Sequence, residues 1–153
     1  MNTASNLLKN APFISAFFAC IIAQFLKPII SIIIGEKFEF KQAFSTGGMP
    51  SSHSASVVAL TTTIGILYGL GSPYFAISAV FGIIVIHDAM GIRKEAGKQA
   101  ELLNQWSKIF TEIHKDGEFT QANLKTMLGH NFSQVSAGIV LGLIVGIVSA
   151  YVI

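Results

Sequence analysis

The sequence predicts an all-α fold: a polytopic membrane helical bundle with about four transmembrane helices and a cytoplasmic amphipathic helical segment. Three observations lead there. Of the 153 residues, 52% are hydrophobic and only 12% charged, with a mean hydropathy of +0.62, the balance of an integral membrane protein rather than a soluble domain. The apolar residues gather into runs long enough for about 30 Å of hydrocarbon, which a helix of about 17 to 25 residues spans. The Lys and Arg residues crowd the stretches between particular runs. One domain covering residues 1–153 is expected, because a second would have too little chain to bury its own core.

The first run, Ala11 to Ile34, reads as a membrane anchor. Phe17 to Cys20 loosely echo a lipoprotein cleavage box, but secretory apolar regions are only about 7 to 15 residues long, and this run continues past Cys20. Cys20 is the only cysteine, so the chain forms no internal disulfide. Further spans follow at His53 to Leu70, Pro73 to Met90 and Gln134 to Ile153. Between them lie a loop at 36–52, a two-residue turn at Gly71 and Ser72, and a polar segment over 91–133. Within that segment Ala96, Ala100, Leu103, Trp106, Phe110 and Ile113 recur every three or four residues, giving one apolar stripe on a helix that lies on the membrane surface or against the bundle. His114 to Phe119 reads as its turn, and Thr120 as the cap of a short helix that stops near Gly129.

If every span crosses, the 36–52 loop and the long polar segment share one side. Eight of the ten basic residues fall there: Lys37, Lys41, Arg93, Lys94, Lys98, Lys108, Lys115 and Lys125. Lys9 lies opposite and Lys27 sits within a span. The positive-inside bias places both polar segments in the cytoplasm, and the expected location is a bacterial inner membrane. No nucleic-acid motif is present.

Four groups of polar residues need a reason in so apolar a chain. The stretch Gly47-Gly48-Met49-Pro50-Ser51-Ser52-His53 puts a glycine turn and a proline ahead of a helix, with Ser51 or Ser52 as its N-cap. Amides behind such a turn, at the positive end of a helix, suit a phosphate, and His53 falls in the first helical turn. Lys27 lies about 12 Å before Gly35 at 1.5 Å per residue. A lysine in mid-span costs about 2.5 to 3.5 kcal/mol to insert, so either it snorkels or it faces the bundle interior toward an anion; Pro28 beside it favours a kink. Asp88 and Arg93 are five residues apart, about 140° around a helix, so the helix breaks near Gly91 or the two face different partners. Asp88 pairs with Lys27 or orients a histidine, and Arg93 suits a forked phosphate contact. His130, after Gly129, lies on the same predicted side as His53 and Arg93.

Together, Gly47 to Ala55 and the downstream Gly129-His130-Asn131-Phe132-Ser133-Gln134-Val135-Ser136-Ala137-Gly138 resemble the divergent branch of the type 2 phosphatidic acid phosphatases, relatives of bacterial acid phosphatases and vanadium haloperoxidases. Pro50, Ser51, Ser52 and His53 are similar to that superfamily's P-S-G-H motif, with Ser52 replacing glycine. His130 with Val135, Ala137 and Gly138 resembles the end of its third motif. The resemblance implies a histidine nucleophile at His130, a general acid at His53 and no metal or other cofactor. Lys27, Arg93 and the amides around Gly47, Gly48, Ser51 and Ser52 would hold the phosphate, and Asp88 is a candidate to support a histidine. The chain departs from the pattern where the family aspartate that orients the nucleophile falls at Gln134, and where its S-R pair falls at Leu124 and Lys125.

The function implied is a phosphatase acting on a lipid phosphate or diphosphate. Two alternatives stand beside it: a non-catalytic protein that binds or translocates lipid phosphates, and a structural or transport subunit. Gly138, Gly142 and Gly146 form a small-residue face for close helix packing, within the monomer or across a homodimer. His87, Asp88 and His114 have no recognised metal-ligand spacing.

Overall fold

The computed structural model describes residues 7, 9–35, 47–113, 123–124, 126 and 130–153, excepting the side chains of 92–94. Five long helices follow one another in these residues: α1 (Ala11–Ile33), α2 (Ser52–Tyr68), α3 (Pro73–Met90), α4 (Ile92–Ile113) and α5 (Phe132–Val152). The described residues hold no strand.

Local chemistry sets where the helices begin and end. Asn10 Oδ1 accepts from the Phe13 amide at 3.1 Å, Ser51 Oγ from the Ser54 amide at 3.3 Å, and Ser72 Oγ from the Phe75 amide at 3.2 Å. Each satisfies a first-turn donor that the helix itself leaves unpaired. Pro12 and Pro73 stand at the start of α1 and α3, where a missing N–H costs nothing. Gly69 ends α2 at φ 82°, a left-handed conformation that glycine reaches without strain, and the chain turns through Ser72 into α3. α1 continues through Pro28 to Ile33. At Gly91 (φ −100°, ψ −87°) the backbone leaves helical geometry for one residue before α4, so of the two alternatives for Asp88 and Arg93 the helix break is present.

α2 is the hub, packed against α1, α3 and α5. The core is made of small residues: Ala19, Ala23, Ala55 and Ala59 are 0% exposed, with Leu141 and Val145 packed on them. Large side chains point outward instead, among them Phe17, Phe25, Ile29, Ile77, Phe81, Ile83 and Ile144. That distribution reverses the usual one in water and fits a bundle whose outer solvent is hydrocarbon and whose helices close on small residues. Three stretches are long and apolar enough to cross a membrane: Ala11–Ile33, the segment that starts at Pro73 and runs on to Ile113, and Phe132–Val152. α2, at 17 residues, is shorter, so the expected count of four stands at three on this criterion.

The polar groups of α2 explain its composition, because they bind neighbouring helices. The Ser56 hydroxyl donates to the Ala16 carbonyl at 2.9 Å. The Thr61 hydroxyl lies 2.9 Å from the Val57 carbonyl and 3.1 Å from the Ser78 carbonyl. Thr63 Oγ1, fully buried, lies 2.9 Å from Ser15 Oγ and 3.1 Å from the Gly146 carbonyl, tying α1, α2 and α5 at one point. Measured interhelical hydrogen bonds in membranes average about 0.6 kcal/mol and reach about 1.7. Thr63→Val, which keeps the shape and removes the hydroxyl, is therefore expected to destabilise the bundle by about 1 kcal/mol, read from its unfolding midpoint in mixed micelles.

The seam between α2 and α5 is the tightest. A Cβ on Gly138 would meet the Ser51 carbonyl oxygen at 2.5 Å, one on Gly142 the Ala55 carbonyl oxygen at 2.5 Å, and one on Gly146 the Thr62 Cβ at 2.7 Å. The small-residue face thus closes on α2 of the same chain, which settles the direction that the sequence left open for it.

α4 carries the expected stripe, but its packing is with α3, to which it is joined, rather than with the rest of the bundle. Leu103, Trp106, Phe110 and Ile113 are exposed, and the rings of Trp106 and Phe110 lie tilted by 33° with centroids 6.0 Å apart. Asn104 grips the returning chain by two bonds: its Nδ2 donates to the Leu124 carbonyl, and its Oδ1 accepts from the Leu124 amide, both at 2.8 Å. The turn expected at His114 to Phe119 and the helix expected from Thr120 to Gly129 lie outside the described residues.

Candidate active site

Hydrogen bonds between backbone groups bring the motifs together at one end of the bundle. The Ser51 amide, just ahead of α2, donates to the Gln134 carbonyl in the first turn of α5 at 2.9 Å. The His130 amide, just ahead of α5, donates to the Ala89 carbonyl at the end of α3 at 2.9 Å. The starts of α2 and α5 and the end of α3 therefore meet. The end of α1 lies toward them because α1 runs antiparallel to α2: Asn10 and Phe13, at the start of α1, share a cleft with Ile64 and Tyr68, at the end of α2.

His53 and His130 come together there. Their ring centroids are 6.2 Å apart, with the rings tilted by 56°, although 77 residues separate them in the chain (130 − 53). His53 lies in the first turn of α2 and is exposed, whereas His130 is 3% exposed. Ser51 is the N-cap, and Ser51, Ser52 and Ser54 are all buried. Gly48 takes φ 88°, a conformation that requires glycine, and the peptide between Met49 and Pro50 is cis. The expected amide cradle is partly used from within: the Ser51 amide is held by Gln134, the Ser54 amide by Ser51 Oγ and the Ala55 amide by the Ser51 carbonyl.

Lys27 is 1% exposed, so it does not snorkel into solvent; its side chain is enclosed by the protein. Gln24, one turn earlier on the same face, has a buried Oε1 with no hydrogen-bond partner among the described residues. Asp88 is half-buried in the last turn of α3, directly before the Ala89 whose carbonyl holds His130. Arg93 is the second residue of α4, and its side chain lies outside the described part, as does His114. His87 is exposed on α3.

The side chain set against His130 is Gln134. Its Oε1 lies 3.1 Å from His130 Nδ1 and accepts from the Asn131 amide at 3.1 Å. Sequence reasoning treated Gln134 only as a lost aspartate. Its local role was legible, because Asn131-Phe132-Ser133-Gln134 spells a capping box, in which the fourth side chain reaches back to the cap amide. A cleft of about 470 Å³, lined by Phe13, Leu60, Ile64, Tyr68 and Tyr74 among others, lies at the opposite end of the bundle. None of its described lining residues is charged.

Comparison with known proteins gives the family of the chain. The divergent PAP2 family matches residues 8–145. The chain belongs to that family. A relative from Bacillus subtilis (strain 168), the uncharacterized membrane protein YuiD, is 39% identical over 153 residues, covering 95% of this chain and 97% of its own length. No solved structure matches the chain. The match of this divergent PAP2 protein takes in Lys27, His53, Asp88 and His130, all four helix ends that converge on the site.

Proposed function

We propose that this divergent PAP2 protein hydrolyses a lipid phosphate or diphosphate at the cytoplasmic face of a bacterial cell membrane, with His130 as nucleophile and His53 as general acid. The observation that carries the reading is the 6.2 Å separation of two histidine rings held by different helices, close enough for one phosphoryl group to touch both. In the first step a neutral His130 ring nitrogen bonds to phosphorus, the bond to the leaving oxygen breaks, and that oxygen takes a proton from His53. In the second, water attacks phosphorus, the nitrogen–phosphorus bond breaks, and His53 recovers the proton. Covalent catalysis of this kind splits one difficult displacement into two easier ones.

The buried Lys27 ammonium and the positive end of the α2 helix dipole supply positive potential where phosphoryl charge accumulates, and Arg93, the second residue of α4, is the arginine that this reading assigns to the phosphate. A lipid substrate suits a site at the end of a membrane bundle, because its chains stay in hydrocarbon while its headgroup reaches the histidines. What supports the cytoplasmic side is the Lys and Arg distribution with four spans crossing, and what supports a bacterial membrane is the Bacillus relative.

The test is inorganic phosphate released from a panel of lipid phosphates by the purified protein in detergent, beside His53→Ala and His130→Ala variants that retain their fold. Release is expected to fall at least about 10³-fold in His130→Ala, on the scale of removing a nucleophile, and strongly in His53→Ala. The neutral Gln134 in place of a carboxylate favours a second reading, in which the chain binds or translocates lipid phosphates without cleaving them. Release no greater than in the variants, together with measurable lipid-phosphate binding, decides for that reading.

A further inference from the structure

We infer that Gln134 is a positioning residue that fixes the tautomer of His130, holding the proton on Nδ1 so that Nε2 carries the lone pair of the neutral ring. The argument turns on one oxygen with two neighbours. An Asn or Gln amide can be assigned only from the network around it, and here the network decides. The Asn131 backbone N–H is a donor and nothing else, so the Gln134 atom 3.1 Å away must be the oxygen. The same atom lies 3.1 Å from His130 Nδ1. A carbonyl oxygen only accepts, so Nδ1 must donate, and in a neutral imidazole the other nitrogen then has no proton. A flipped ring would place a carbon against the oxygen and lose the bond.

Burial and two backbone hydrogen bonds hold this geometry. His130 is 3% exposed, which limits competition from water. Its backbone amide is fixed to Ala89, and the Gln134 carbonyl is fixed to the Ser51 amide. One residue thus orients His130 through its side chain and anchors the turn bearing His53 through its backbone. The amide imposes the tautomer without contributing charge, which separates two properties that a carboxylate in this place would combine. The catalytic meaning of the assignment rests on the function proposed above; the assignment itself does not.

The experiment is nitrogen-15 NMR of the histidine-labelled full chain in detergent, with the His130 signals identified by their loss in His130→Ala. Imidazole nitrogens with and without a proton differ widely in shift. The unmodified protein at a pH where His130 is neutral is expected to show a protonated Nδ1 and an unprotonated Nε2. Gln134→Leu is expected to move the proton toward Nε2, and Gln134→Glu, which keeps an acceptor of the same reach, to leave it on Nδ1. A proton on Nε2 in the unmodified protein, or a His130 signal unchanged in folded Gln134→Leu, overturns the assignment. The unmodified spectrum decides even if Gln134→Leu fails to fold. In the phosphate assay, kcat is expected to fall at least about 10²-fold in Gln134→Leu, by the precedent of a catalytic histidine left in the wrong tautomer, and to recover in Gln134→Glu. A chain with Nδ1–H that releases no phosphate keeps this assignment and loses the hydrolytic one.

Discussion

Gly142→Leu is expected to abolish the folded bundle. The first carbon of any side chain at this position would stand 2.5 Å from the Ala55 carbonyl oxygen, 2.8 Å from Val58 Cβ and 3.1 Å from the Ala59 amide nitrogen. Two of those atoms are helix backbone, which cannot rotate aside as a flexible side chain can. Relief requires α5 to move away from α2, and that movement also breaks the contacts at Gly138 and Gly146 and the Thr63 hydroxyl's reach to the Gly146 carbonyl. Overpacking a core costs about 1 to 3 kcal/mol where side chains can adjust; against backbone the cost here is at or above the top of that range. Size-exclusion chromatography in detergent, followed through the single tryptophan Trp106, should show aggregate in place of a monodisperse peak. Gly71→Ala is the control, since a Cβ there meets nothing within 4 Å; its stability should stay within about 0.5 kcal/mol of the parent. A Gly142→Leu protein of unchanged stability would mean that α2 and α5 do not pack as described.

Lys27→Met is expected to separate binding from folding. The lysine is enclosed at the end of the bundle that carries both histidines. Burying an ammonium costs several kcal/mol that only opposite charge and hydrogen bonds offset. If the charge is kept to meet an anion, methionine of similar length removes the cost together with the function. Inorganic phosphate or a short-chain lipid phosphate, titrated by calorimetry, should then bind at least about 10-fold more weakly to a variant that still folds. A structural lysine gives the opposite pair of results: affinity unchanged, and stability lost by about 3 to 5 kcal/mol, the cost of breaking a buried ion pair by removing one partner.

Helix starts were legible in the sequence because they depend on short-range chemistry. Asn10, Ser51 and Ser72 cap their helices with their own side-chain oxygens, and Gly69 and Gly91 end theirs through backbone shapes that glycine allows. The apolar stripe of α4 was legible for the same reason, as periodicity along one helix. Its neighbour was not, because periodicity gives a face and not what the face meets. The span read over His53 to Leu70 is helical from Ser52 to Tyr68; what its sequence did not show is that Ser56, Thr61 and Thr63 are matched by carbonyls on other helices. Of the candidate site, the two histidine motifs were visible in the sequence. What sets Gln134 against His130, and Ala89 against the amide of His130, is a pair of turns meeting across the bundle, and local sequence carries no signal for that.

The alanine and glycine seams have a consequence for how freely this chain can vary. Position by position, the inward faces of α2 and α5 admit almost no added atom, while outward residues such as Phe25, Ile83 and Ile144 meet only what surrounds the bundle. One turn of helix therefore answers to two unrelated judges: steric exclusion on one side, and oil solubility on the other. Residues facing outward can exchange among bulky apolar types to suit a different bilayer, and the spacing of the two histidines, set by backbone lying on backbone, is insulated from that exchange.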